Sequence, residues 1–458
     1  MLIKEFHSLL DRGWRSAFAG TRSHKRAIEH AIALPCVFGR RTISRTLGAL
    51  GRWNKDWSAD YKMFSRCRWR PEKLFDPVID EYLERYPGRP VIAAVDDTKL
   101  KKTGRKIKGA SWHRDPLSPP FHLNFMYGLR FLQASLLFAH YQEGDYPPRG
   151  IPVRFKEAPP LKKPGKRATT EQCEQYNKLK KEKNLSTDAL DMVRDLRQSL
   201  DQRGGADRLL LMVGDASFAN KTMFKAELDR THLLARCRKD ARLCFGAPEG
   251  GRRKYAEQLF TPNEVRTGED RPWKRSQVYV GNKLRLVRHK EVKDVLWKRG
   301  AGTKPLRLIV IGPVPYRLSK NSRPNYRDPA YFLTTDLDTS IKLLVQACFD
   351  RWQIEVNHRD EKDLLGVGQA QLRSELSIPR HPALAVASYS LLLLAALKSF
   401  GPGRTQDYLQ QPKWRKSVSK RASLLDIVSK LRSETNETSV SQFLHQNFTK
   451  NLVLYADS

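Results

Sequence analysis

Two short, unbroken apolar runs that each close on aspartate constrain this chain more than any other feature: VIAAVDD at 91–97 and LLLMVGD at 209–215. A run of this length without polar alternation suits a strand covered on both faces. Between the two, STDALDMVRDLRQSLDQRGG (186–205) carries a start cap at Ser186, apolar residues at 190, 193, 196 and 200, and glycines that stop it. That spacing predicts an amphipathic helix. The second run is followed by FANKTMFKAEL (218–228), read as helical, and a short strand near HLLARC (232–237). Strands alternating with helices predict an α/β sheet.

Other segments extend this layout. FHLNFMYGLRFLQASLLFA (121–139) is expected to supply two further strands, with Gly128 near the turn, and 149–185, rich in Pro and Lys, reads as an exposed connection. From 241 to 330 Gly, Pro and Arg increase, and SQVYVGNKLRLV (276–287) looks like a hairpin around Gly281-Asn282. The α/β pattern resumes with AYFLTTD (330–336) and a long helix from about 339, so 241–330 is expected to be a β-rich insertion domain. Residues 1–88 read as helical and basic, with a helix opened by Thr42, a break at Gly51 and a second helix capped by Ser58. Those two helices fit a helix-turn-helix reading a major groove, or two members of a small bundle. The expected units are 1–88, 89–240 with 331–400 as two parts of one core, 241–330, and a basic helical region at 401–458.

Charge narrows the function. Lys and Arg number 84 against 49 Asp and Glu, a formal +35, which calls for a polyanionic partner, nucleic acid first. The cations are spread along the chain and do not gather beside one apolar anchor, so no membrane partner is expected. The opening MLIKEFHSLLDRGW meets Glu5 and Asp11 before any long apolar stretch, unlike a secretory signal. The most apolar stretch, ALAVASYSLLLLAAL, covers only 383–397 where a span needs about 20 residues, and reads as a buried helix. Six cysteines without a CxxC pair or zinc spacing favour free thiols in a reducing cytoplasm.

A carboxylate at the C-terminal end of a buried strand is fixed by the sheet, and Asp96 and Asp215 both occupy such ends. If their strands are neighbours, the side chains converge outside the sheet edge. Magnesium favours such oxygen ligands, completed by substrate phosphates. Asp97 points to the opposite face from Asp96, so only one of them can enter the site. Asp336 also follows an apolar strand, but helix capping in TTDLDTS explains it better. A third carboxylate comes from RWQIEVNHRDEK (351–362). On a continuous helix of about 100° per residue, Arg351, Glu355 and Lys362 share one stripe beside an apolar stripe of Val345, Phe349, Trp352 and Val356. Composition alone favours a solvated salt-bridge face there. Its position after two strand-end aspartates favours a glutamate held for a metal, with flanking cations countering its repulsion from DNA.

At these residues the sequence resembles bacterial insertion-sequence transposases of the DDE type, in the branch with a Tyr-x2-Arg-x3-Glu-x6-Lys signature. Arg351, Glu355 and Lys362 match its spacing, while Cys348 stands where the tyrosine is expected. The Asp-x-Thr that marks the family's first aspartate selects Asp96 with Thr98, and Asp215 follows the later apolar strand. LGVGQAQLRS and the apolar segment after it also look like this family's tail. The resemblance implies an RNase H-like mixed sheet with flanking helices, interrupted by the β-rich insertion. It implies Asp96, Asp215 and Glu355 as catalytic residues holding two magnesium ions, with manganese as a substitute. Double-stranded DNA, as terminal inverted repeats and target, is the implied partner, bound by a homodimer in a bacterial, nucleoid-associated setting. Arg351, Lys362, Lys99 and His358 are candidates for DNA contact, and Trp273 and Trp297 for stacking on an extruded base or, alternatively, core packing.

Overall fold

The computed structural model describes the whole chain except residues 116, 117, 120, 249–251, 320, 415–418 and 436–458. The last part of the expected C-terminal region, 436–458, therefore lies outside the described residues. Five helices come first: α1 (Leu2–Trp14), α2 (Thr21–Cys36), α3 (Ile43–Ala49), α4 (Ser58–Ser65) and α5 (Asp76–Arg85). Strands β1 (Val91–Lys101), β2 (Ser111–Arg114), β3 (Phe125–Phe138) and β4 (Arg149–Glu157) follow, then α6 (Thr170–Glu182), α7 (Leu185–Gln202), β5 (Leu210–Gly214), α8 (Lys221–Phe224) and β6 (Thr231–Arg236). After α9 (Pro262–Thr267) come β7 (Lys274–Val280), β8 (Lys283–Leu296), β9 (Pro305–Ile311), β10 (Val314–Tyr316), β11 (Asn325–Arg327) and β12 (Ala330–Thr334). Helices α10 (Ile341–Asp350), α11 (Gln353–Asp363), α12 (Ser377–Phe400) and α13 (Leu424–Thr435) complete the described chain.

Ten strands form one mixed sheet in the order β2-β3-β1-β5-β6-β12-β9-β8-β7, with β4 also paired to β3. The β1–β5 and β5–β6 pairs are parallel, and the others are antiparallel. Apolar side chains of β5 alternate between two cores: Leu210 and Met212 join one, Leu211 and Val213 the other. The sheet is thus covered on both faces, which is why its central strands can be apolar without interruption.

Several expectations change at this level. Strands β7 to β9 do not build a separate insertion domain; they extend the central sheet, with β9 paired to β12. The hairpin at Gly281-Asn282 is present, both residues having positive φ as a tight two-residue turn requires. The N-terminal helices share one apolar core with the sheet, from Leu2 through Leu431. Gly128 lies inside the single strand β3, and a Cβ there would stand 2.5 Å from the Leu100 carbonyl oxygen, so glycine permits close strand approach. Residues 149–157, read as exposed connection, form the buried strand β4. Its pattern is disguised by Pro152 and by Arg154, whose buried guanidinium pairs with Asp195 of α7. The predicted Ser186 cap is replaced by a capping box between Asn184 and Thr187.

The apolar segment at 383–397 belongs to a 24-residue helix, α12. It is long and apolar enough to cross a bilayer, yet 83% of its most apolar window is buried inside the protein, against α1, α2 and β4. All six cysteines are free. Thr42 caps α3 by accepting from the Arg45 amide, and α3 and α4 pack on α2.

Candidate active site

Val95 of β1 pairs with Gly214 of β5 in parallel register. The next residues are Asp96, midway along β1 and not at its end as expected, and Asp215, just past the end of β5, so the two stand side by side where β5 stops and β1 runs on. Burial and the negative charge of Asp215 push the Asp96 carboxyl up to about 7, against the opposing pull of Arg351. One Asp96 oxygen accepts from the Asp97 amide at 2.8 Å. Asp215 is held by Ser217, whose amide and hydroxyl both donate to its Oδ1, at 2.9 and 2.6 Å.

The third carboxylate arrives through a joint between helices. α10 ends at Asp350 and α11 begins at Gln353, so the continuous helix expected from the sequence is interrupted at Arg351 and Trp352. Amide-to-carbonyl bonds tighten to three residues across the joint, from Trp352 to Phe349 and from Ile354 to Arg351. Arg351 nevertheless reaches one turn ahead: its Nη2 donates to Glu355 Oε1 at 2.7 Å, while Nη1 lies 3.6 Å from Asp96 Oδ2. A single guanidinium, only 16% exposed, therefore bridges the first and third acidic residues, Asp96 and Glu355.

The joint also turns the side chains of α11. Trp352, expected in the apolar stripe, is 55% exposed, while Ile354, Asn357, His358 and Glu361 face inward. His358 is thereby removed from any surface that DNA can reach, and burial lowers its pKa to about 3. Lys362 is half-buried and feels chiefly Glu361, Lys99, Asp363 and Asp97. Lys99 pairs with Asp97 at 3.5 Å, consistent with Asp97 lying on the other face of β1 from Asp96. Asp336 is buried and its Oδ1 accepts from the Asp338 and Thr339 amides at 3.0 and 2.8 Å. It shapes the turn before α10.

A cleft of about 810 Å³ opens from Asp215 and Arg351 toward β10 and β11. Arg236, Arg327, Tyr316, Tyr326, Phe349 and Trp352 line it. The hairpin residues Tyr316, Tyr326 and Arg327 escaped sequence reasoning, because 314–327 has no periodicity that distinguishes it from a loop. Cys348 also lines this cleft. Trp273 and Trp297 do not line it; both pack against the main core, Trp273 under Arg288 and Lys290 and Trp297 against Phe224.

No protein-family model and no curated protein matches this chain. The chemistry of the site therefore rests on its own geometry.

Two adjacent, half-buried carboxylates in low-dielectric surroundings repel each other, and a divalent cation would relieve that repulsion. Asp96 and Asp215 fit magnesium, which takes one or two carboxylates and leaves its other positions to water and phosphate. Among the described residues, no three His, Cys, Asp or Glu side chains stand close enough to hold an ion as arranged. Glu355 would join Asp96 and Asp215 by exchanging Arg351 for the ion.

Proposed function

We propose that this protein is a metal-dependent DNA transposase of the DDE type on an RNase H-like core. It would cut at the terminal inverted repeats of an insertion sequence and join the freed 3′-hydroxyls to target DNA. One observation carries the reading: β1–β5 pairing sets Asp96 beside Asp215, and Arg351 bridges Asp96 to Glu355, three acids distant in the chain. The formal +35 and the arginine-lined cleft beside Asp215 support DNA as substrate.

In this reading Asp96, Asp215 and Glu355 hold two magnesium ions, or manganese in their place. When bound, the metal supplies activation of the attacking water or 3′-hydroxyl and stabilisation of the leaving oxygen. The sheet fixes Asp96 and Asp215, so little reorganisation is needed when the phosphodiester arrives. Arg351, Arg236 and Arg327 neutralise phosphates along the cleft, and Lys362 with Lys99 extends the cationic surface past Asp97. A homodimer on paired ends and a nucleoid-associated, cytoplasmic setting belong to the same proposal.

The test is Glu355→Gln. End-containing duplex in magnesium should be nicked and joined by the wild type and left intact by the variant, with DNA affinity within about threefold; full activity of the variant refutes the reading. Cys348 at the expected tyrosine position favours a second reading, a recruited DNA-binding relative without chemistry. A wild type that binds but never nicks would establish it. Nicking without joined products would instead identify an RNase H-like nuclease.

A further inference from the structure

We propose that Arg351 is a latch that couples DNA binding to metal binding: in the DNA-free protein it holds Glu355 and Asp96 in place of a cation, and a DNA phosphate draws it away. The proposal rests on the reading of the site as a metal-dependent phosphodiester centre, and it assigns Arg351 a positioning role distinct from simple phosphate contact.

The geometry points to competition for the same oxygens. Glu355 Oε1 accepts from Arg351 Nη2 at 2.7 Å, and Asp96 Oδ2 lies 3.6 Å from Nη1. These are oxygens that a cation shared by the two residues would need. A guanidinium and a divalent ion between the same acids would repel each other, so entry of the ion requires the arginine to lose charge or gain another partner. It cannot lose charge, because guanidinium stays protonated in proteins. It can gain a partner. Arg351 Nη1 is buried and makes no hydrogen bond, since 3.6 Å to Asp96 is too long for one. An unspent donor next to the Arg236 and Arg327 cleft suits a phosphate oxygen, which arginine binds through two parallel N–H groups.

The backbone is placed for such a swing. The Arg351 amide donates to Ala347 at 3.0 Å and its carbonyl accepts from Ile354 at 3.1 Å, so the joint between α10 and α11 is pinned by backbone bonds that a swing of the side chain would leave in place. Loss of the latch leaves Glu355 on the first turn of α11, facing Asp96 without a competitor. Linkage then demands reciprocity: if DNA tightens metal binding by some factor, metal tightens DNA binding by the same factor. The consequence is that an ion is held firmly only when a phosphodiester is present, which guards against unproductive hydrolysis.

The experiment measures Mn2+ binding to the full chain by titration calorimetry and by the electron paramagnetic resonance of free Mn2+, with and without a saturating duplex oligonucleotide at low salt. Wild type should bind Mn2+ about tenfold or more tightly with the duplex than without it, within the usual range of coupling. Arg351→Gln should bind Mn2+ about tenfold more tightly than wild type in the DNA-free protein, and the duplex should add little. Arg351→Lys, which keeps the charge without the fork, should fall between and guards against a misfolded glutamine variant, with circular dichroism as the check. The latch is overturned if neither variant gains Mn2+ affinity without DNA, or if the duplex leaves the wild-type affinity unchanged. Asp96→Asn separates the two levels: Mn2+ binding that needs Asp96 but ignores Arg351 removes only the latch, whereas binding indifferent to Asp96 removes the metal centre and the latch together.

Discussion

Arg351 Nη1 stands 3.6 Å from the Asp96 carboxylate, tying the joint between two helices to the middle of a central strand. Despite that cation, the Asp96 carboxyl is pushed up to about 7 by burial and by Asp215. An acid whose folded pKa exceeds its unfolded value gains a proton on folding. Its unfavourable contribution is absent below the unfolded value of 3.8 and grows as pH rises toward 7. Asp96→Asn should therefore stabilise the metal-free, DNA-free protein by on the order of 1–2 kcal/mol at pH 8, with a smaller effect at pH 4. Denaturant melts in EDTA at both pH values provide the measurement, and a variant less stable than wild type at pH 8 contradicts the account.

Glu361 offers a control within the same helix as Glu355. It is buried, its Oε1 has no hydrogen-bond partner, and burial pushes its carboxyl up to about 8. It is thus mostly a neutral acid at pH 7, and glutamine is nearly isosteric with it. Glu361→Gln should change stability by less than about 1 kcal/mol at pH 7 and gain on the wild type above pH 8, where the native acid must ionise in the core. Nicking activity should survive. A loss as complete as that of Glu355→Gln would show that the wrong glutamate had been assigned.

The outer strand β7 is secured by one side chain. Gln346 accepts from the Tyr279 amide at 2.6 Å and donates to the Tyr279 carbonyl at 3.0 Å and to Asp350 at 2.8 Å. The amide so behaves as a one-residue extension of the sheet edge. Gln346→Leu strands two buried backbone groups, at a cost of about 2–4 kcal/mol. Hydrogen exchange at Tyr279 should accelerate more than in β1, and equal protection in variant and wild type would count against this role.

Salt dependence reports on the charge argument without any knowledge of the target sequence. A chain of +35 that neutralises six or more phosphates should lose about a thousandfold in duplex affinity between 50 and 200 mM salt. Fluorescence anisotropy with a labelled duplex measures it. A flat profile would remove DNA backbone from the proposal.

Parts of the candidate site were legible because apolar runs that meet an aspartate and the Arg-x3-Glu spacing are local patterns. Asp96 does lie beside Asp215, and Arg351 does pair with Glu355. His358 was misplaced for a physical reason: a helical wheel sets it about 60° from Glu355 on α11, and only packing decides which flank of that stripe the core covers. β4 was missed because Pro152 and Arg154 hide a buried strand whose charge is satisfied by Asp195, a partner invisible to any window on 149–157.

Within the chain's own order lay the apolar strands, the Thr42 cap, the Gly281-Asn282 turn and the burial of the 383–397 segment, all governed by residues within a few positions of one another. Only the folded molecule decided that β1 lies beside β5, that β7 to β9 extend the same sheet, and that Trp352 faces out while His358 faces in. Strand neighbours and helix joints are selected by hydrogen-bond register and close packing across the whole core. Those constraints join residues far apart in the chain, so no local stretch contains them.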